Sequence, residues 1–233
     1  MKLPSNCRGA CGRLLHFAGN VAARLYGWAL LDADVEWTAL LPRGAKIYAG
    51  NHPTTTDALL AMGLPGPHHL LITERVLKIP VLGWYLRAAG HLPVWDGHRL
   101  ATYACARRVL RAGRSVVMAP EGDLSPAEGG LGRLQPGFAH LAFETGAPVV
   151  PIGVAVQRER IWSVNTTVAA KTTVSRYYFR GRYCVTIGEA LWLEGSIDDH
   201  VRMRAAREQL FERLTALTRR SEERLTAASS RKR

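Results

Sequence analysis

Five short apolar runs, Lys46–Ala49, His69–Thr73, His91–Val94, Ser115–Ala119 and Val149–Val156, recur along the chain with helical stretches between them. Runs of this length suit strands, and their near-continuous apolar character needs cover on both faces of a sheet. The intervening segments, 54–62, 81–89, 99–112 and 138–145, read as helices, with Gly90, Gly113 and Gly146 standing where helices end. This alternation predicts an α/β architecture: a single domain with a central sheet flanked by helices. Beyond Gln157, residues 172–179 and 183–187 alternate in polarity around an Arg180–Arg182 turn, which predicts a hairpin and therefore a mixed sheet. A long final helix is signalled over 198–225, where Leu210, Phe211, Leu214 and Leu217 share a face.

With 233 residues, 47% of them hydrophobic, the chain can bury one sizeable core. Residues 1–40 read as a basic, amphipathic interface segment, 41–228 as the folded domain and 229–233 as a basic tail. Net charge of +12 points toward polyanions, namely nucleic acid, an anionic membrane surface or phosphate-bearing molecules. A nucleic-acid-binding module is disfavoured, because no helix-turn-helix, zinc-finger or RNP pattern occurs and the basic residues are spread along the chain.

Cys7, Cys11, Cys105 and Cys184 form neither a disulfide framework nor a paired zinc motif, which suits a reduced intracellular setting. His16 follows Cys11 without an evident fourth ligand, and adjacent His68 and His69 are expected to point apart in a strand, so no metal site is expected. The Gly129–Gly132 run neither follows a strand directly nor ends in Lys-Ser/Thr, which argues against a nucleotide loop.

Between Lys2 and Leu31 there is no acidic residue, while Lys2, Arg8, Arg13 and Arg24 are basic. Arg24 and Asn20 interrupt the apolar stretch 14–31, which is too short and broken to be read as a bilayer span. At about 100° per residue, Leu14, Ala18, Val21, Leu25 and Trp28 share one helical face and Arg13, Asn20, Arg24 and Gly27 the other. Such a helix can sink into a headgroup boundary or pack its apolar stripe on the domain.

The chemistry concentrates in Asn51-His52-Pro53-Thr54-Thr55-Thr56-Asp57, between a candidate strand and a candidate helix. On one continuous helix His52 and Asp57 would diverge by about 140°. Pro53 biases His52 toward extended backbone and can itself enter the first helical turn, so the imidazole can fold back toward the carboxylate. A carboxylate on one ring nitrogen fixes the tautomer and leaves the other nitrogen basic toward a hydroxyl. No Gly-x-Ser-x-Gly elbow and no suitably placed cysteine accompanies the pair, so direct transfer to a bound alcohol is expected in place of a covalent acyl-enzyme.

Four ordered blocks extend this reading: Asn51-His52 with Asp57; Ile79–Tyr85 running into Gly90–Val94; Pro120–Ser125; and Ala147–Ile152. Together they resemble the glycerol-phosphate and lysophospholipid acyltransferase family over roughly residues 45–156. The resemblance implies that His52 deprotonates an acceptor hydroxyl, oriented by Asp57, for attack on the thioester of acyl-CoA or acyl carrier protein, with no resident cofactor. It further implies a membrane-associated enzyme, peripheral or monotopic, expected at the cytoplasmic face of an anionic membrane.

Asn51, Glu121 and Gly122 become substrate-binding candidates, Glu121 either binding the acceptor hydroxyl or anchoring its loop. Three cations of the family pattern are missing, at Thr73/Glu74, Asp96 and Leu124. A partly buried phosphate needs charge-assisted donors, so either other cations, of which Arg75, Arg99 and Arg133 are candidates, take over, or the acceptor's phosphate is absent, esterified or held differently. Use of the same His-Asp pair on water, as in a thioesterase or esterase, is the alternative chemistry.

Overall fold

β-Branched and small apolar residues fill the strand at Val149–Val156, and every one of its positions is buried, as a central strand requires. The computed structural model describes residues 10–61, 63–95, 97–168 and 171–230. Its helices are α1 (Ala10–Ala29), α2 (Asp57–Ala61), α3 (Glu74–Leu77), α4 (Leu82–Ala88), α5 (Arg99–Arg111), α6 (Gly137–Thr145) and α7 (His200–Ser230). Its strands are β1 (Ala33–Trp37), β2 (Ile47–Gly50), β3 (His68–Thr73), β4 (Leu92–Val94), β5 (Ser115–Met118), β6 (Val149–Val156), β7 (Trp162–Val168), β8 (Lys171–Tyr177) and β9 (Tyr183–Ile187).

A seven-stranded sheet in the order β1-β9-β6-β2-β5-β3-β4 forms the centre, and β7 and β8 make a separate two-stranded sheet. From β6 to β4 all neighbours are parallel, whereas β9 lies antiparallel to β6 and parallel to β1. The mixed α/β fold expected from the sequence is thus present. Side chains alternate across it: Ile47, Ala49, Val116 and Val149 enter the core under α5, α6 and α7, with Phe138, Leu141 and Leu210. Tyr48, Val150 and Ile152 face the opposite side, with Leu31, Tyr178 and Tyr183.

Several boundaries differ from the sequence reading. β8 pairs with β7, not with β9, so the expected hairpin across Arg180–Arg182 does not form. β9 instead fills the gap between β6 and β1, where its backbone groups find partners on both sides. β1 at residues 33–37 belongs to the main sheet, inside the stretch read as an N-terminal interface segment ending at residue 40. α7 continues through Ser230, into the stretch expected as a tail; residues 231–233 lie outside the described residues, as do Lys2, Cys7 and Arg8.

Gly153 on β6 lets α7 approach closely, because a Cβ there would lie 2.3 Å from the Leu217 backbone. Ser221 completes the contact by donating its hydroxyl to the Gly153 carbonyl at 2.9 Å.

On α1 the apolar stripe faces outward. Leu14, Phe17, Leu25 and Trp28 are 67, 65, 58 and 82% exposed, while Gly19, Ala23 and Gly27 are buried. Small residues allow the helix to lie close over α2 and α4, and Tyr85 donates its hydroxyl to the Leu15 carbonyl at 3.2 Å. No described helix is long and apolar enough to cross a membrane.

His16, on the inner side of α1, meets His68, His69 and His91 at ring-centroid separations of 5.2, 5.8 and 5.7 Å. The expectation that His68 and His69 point apart therefore does not hold relative to His16, which both rings approach. His68 and His69 use Nδ1 to donate to the carbonyls of Gly66 and Gly90, and His91 Nδ1 accepts the Leu70 amide. Nε2 of His16, His68 and His91 is buried without a partner. Burial holds all four rings below the ordinary histidine range, His68 and His69 at about 4 and His91 at about 3. Among the described residues no group of three potential ligands is placed to hold a metal ion.

Candidate active site

The ladder between β2 and β6 ends at Gly50 and Ile152, and the side chain of Asn51 extends it. Its amide donates to the Val154 carbonyl at 2.9 Å and accepts the Val154 amide at 2.7 Å, replacing the main-chain pair that the next residue would have made. The main chain can then leave the sheet at His52. Through these two bonds Asn51 positions the loop.

Asp57 opens α2, three residues later than the helical start expected at Thr54, and Pro53 lies in a bend before it. The later start leaves residues 52–56 free to curl over the helix terminus. His52 Nδ1 lies 3.2 Å from Asp57 Oδ2, and the His52 side chain remains 26% exposed. An ionised carboxylate only accepts, so Nδ1 carries the proton and Nε2 presents its lone pair.

The carboxylate is held from every side. Oδ2 also accepts the Thr54 amide at 2.8 Å, and Oδ1 accepts the hydroxyls of Thr54 and Tyr183, both at 2.7 Å. Burial, and then the charge of Asp57, pushes the Tyr183 phenol well above the ordinary tyrosine range, so it stays a donor. Thr54 and Tyr183 hold Asp57 in place and were not singled out from the sequence. The Thr-x-x-Asp spacing of a capping box marks Thr54; nothing local marks Tyr183, which arrives from 126 residues away.

Glu121, at the end of β5, is buried and fully engaged within the protein. Oε1 accepts the Ser125 hydroxyl at 2.6 Å and the His52 amide at 3.3 Å, and Oε2 accepts the Gly132 amide at 2.6 Å. Of the two roles considered for it, these bonds describe the anchor: one carboxylate ties the His52 loop to residues 125–132. Gly122 sustains this turn at φ +76°. Ser125 is near His52 through the backbone, its hydroxyl accepting the His52 amide at 2.9 Å while giving its proton to Glu121. It is thereby engaged away from the imidazole. Cys105 and Cys184 are buried in the core and offer no nucleophile.

The proposed replacement cations are spread out. Arg75 follows β3 and Arg99 follows β4, respectively two and three strands along from β2, or about 10 and 14 Å at ordinary strand spacing. Arg133 is exposed next to Gly132. Of the positions lacking a family cation, Thr73 ends β3, Glu74 pairs with Lys78 at 3.1 Å, and Leu124 is half-buried; Asp96 lies outside the described residues.

The His52–Asp57 pair thus lies at the carboxyl end of a mostly parallel sheet, where α/β folds carry their sites, and the free cysteines among the described residues are buried elsewhere. The acyltransferase family model matches residues 33–155, and the chain belongs to that family.

It is 28% identical over 142 residues to the chloroplastic 1-acyl-sn-glycerol-3-phosphate acyltransferase BAT2 of Brassica napus, covering 59% of this chain and 41% of that protein. With the 1-acyl-sn-glycerol-3-phosphate acyltransferase of Limnanthes alba it shares 26% identity over 196 residues, 81% of this chain and 65% of the relative. The chain thus spans less than two thirds of the length of these relatives. The crystal structure of the 1-acyl-sn-glycerophosphate acyltransferase PlsC from Thermotoga maritima superposes with a TM-score of 0.61 at 20% identity, over 96% of this chain and 83% of that one. That likeness establishes a shared fold.

Proposed function

We propose that the chain transfers a fatty acyl group from an acyl thioester, acyl-CoA or acyl carrier protein, to a hydroxyl of a glycerolipid or lysophospholipid acceptor. The observation that carries this reading is the 3.2 Å contact between a buried Asp57 and a partly exposed His52. The acceptor hydroxyl gives its proton to Nε2 as its oxygen attacks the thioester carbonyl carbon. The tetrahedral adduct collapses with cleavage of the C–S bond, and the imidazolium returns the proton to the departing thiolate. An ester and a free thiol result. Asp57 stabilises the transient imidazolium and keeps Nδ1–H aimed at itself.

Location at a membrane surface is part of the same proposal. The outward Leu14–Trp28 stripe is an apolar face that nothing described covers, and it suits insertion to headgroup depth from the cytoplasmic side. Chemistry on a lipid acceptor then occurs where the acceptor resides.

Purified protein, an acyl thioester and a panel of lysolipids test the activity. His52→Ala should lower transfer by at least about 10²-fold with an unchanged thermal melt. Equal turnover by the variant would refute the general base, and free fatty acid forming in place of ester would assign the pair to hydrolysis. Replacing Leu14, Phe17, Leu25 and Trp28 with polar residues should abolish co-sedimentation with anionic vesicles; unchanged sedimentation would refute the interfacial role.

A further inference from the structure

The two strands that frame the site leave it in opposite directions along the sheet, β2 running on toward β3 and β6 toward β9. Such a divergence opens a crevice at the strands' carboxyl ends. A cavity of about 410 Å³ occupies it, bounded by the 125–130 loop, the β7–β8 hairpin and α7. Asn51 and Pro53, the residues on either side of His52, line this cavity together with Ser125, Arg158, Arg176 and Thr218.

Its two arginines differ in what they are free to do. Arg158 is committed, with one nitrogen 2.9 Å from Glu222 and another on the Glu128 carbonyl. Arg176 gives one nitrogen to the Ser125 carbonyl at 2.6 Å and has no carboxylate partner among the described residues. A guanidinium offers five N–H donors in a planar fork, so most of its capacity and all of its charge remain available.

Arg176 is also coupled to the catalytic loop through its backbone. Its carbonyl accepts the Thr55 amide at 2.7 Å, within the His52–Asp57 stretch. Thr218 also lines the cavity, although its unpartnered hydroxyl is enclosed by protein. Two carboxylates also line the cavity: Glu222 is paired with Arg158, and Glu159 is exposed. A half-buried guanidinium without a carboxylate partner among the described residues, in the cavity that flanks the His52 loop, forms a receptor for an anion carried by the molecule that the base deprotonates.

We propose that Arg176 binds the phosphate of a phosphate-bearing glycerolipid acceptor in this cavity, taking over the charge that Thr73, Glu74 and Leu124 do not supply. The proposal rests on the acyltransferase reading and names its acceptor class.

Steady-state kinetics with lysophosphatidate and with an uncharged monoacylglycerol, at a fixed acyl donor, test it. Arg176→Gln should raise KM for lysophosphatidate at least about tenfold, the loss of a charge-assisted contact, and should raise KM for monoacylglycerol much less. Arg176→Lys should recover part of the affinity. A parallel loss on both acceptors would assign Arg176 to holding the hairpin alone, and an unchanged KM would remove it from the site; either overturns the proposal. Broadening of the ³¹P resonance of glycerol 3-phosphate by wild type, lost in Arg176→Gln, reads the same site without turnover. If wild type transfers no acyl group, the activity reading fails while this signal still decides the anion site; no broadening, or equal broadening by both proteins, would overturn it.

Discussion

His52 and His16 both belong to clusters of polar side chains packed against the same sheet, yet the two clusters are built on opposite rules. Around His52 each fixed group has a partner: Asp57 accepts from His52, Thr54 and Tyr183, Glu121 from Ser125, Gly132 and His52, and Asn51 bonds Val154 twice. Around His16 no carboxylate bonds the rings among the described residues, and three ring nitrogens are buried without partners. Burial with a carboxylate makes an imidazole a base, whereas burial without one keeps it neutral and makes it sensitive to acid.

The comparison breaks most sharply at Asp57. Asp57→Asn places an amide N–H₂ among three protein donors and the His52 ring, so the asparagine must turn a donor toward another donor or release the imidazole. kcat should fall by at least about 10²-fold, with KM changed much less. A variant that keeps wild-type kcat would reduce His52 to an exposed imidazole with a convenient neighbour.

Legibility followed the range of the interactions. The parallel strands, their bounding glycines and the His52–Asp57 pair were readable because each is encoded within a dozen residues, by apolar runs, turn chemistry and one proline. Gly146, for example, ends α6 with φ +66°, as its position predicted. The β8–β9 hairpin was misread because a polar alternation states that a segment is a strand without naming its partner, and β6 and β1 together offered β9 more than β8 did. Tyr183, Arg176 and the meeting of His16 with His91 depend on contacts across the whole chain. The outward turn of α1 is not encoded locally, since a helical stripe does not reveal which face of the helix the domain takes.

The acid sensitivity of the second cluster is the next largest effect. His16, His68, His69 and His91 titrate below the ordinary value of about 6.5 because burial penalises their charged forms. With α1 undocked they would take up protons already near pH 6.5, whereas docked all four are shifted down, His68 and His69 to about 4 and His91 to about 3. Stability from this cluster is therefore complete above pH 6.5 and is lost as pH falls toward 4. Arg114, 3.4 Å from His69 Nε2, adds to the cost of any charge that forms there. Amide exchange in α1, corrected for intrinsic rates, should rise across this window ahead of β2 and β6, and His16→Leu should flatten the dependence. Uniform exchange in wild type, or no change in the variant, would show that the rings do not govern docking.

The smallest effect sharpens the comparison from the first cluster's side. Tyr183→Phe removes one donor from Asp57 Oδ1 and leaves the two Thr54 contacts and His52 in place. Loss of one hydrogen bond to a buried carboxylate should cost about 1–3 kcal/mol in urea unfolding. Because Asp57 is still held at both oxygens, kcat should drop by less than about tenfold, far short of the asparagine variant. The raised pKa of the phenol carries a second consequence: Tyr183 keeps its proton through the ordinary tyrosine range near 10, so the donor survives mild alkali. Equal losses in Tyr183→Phe and Asp57→Asn would mean that the imidazole is aimed by the phenol through the carboxylate, and that the satisfied network around His52 is poised by a single bond.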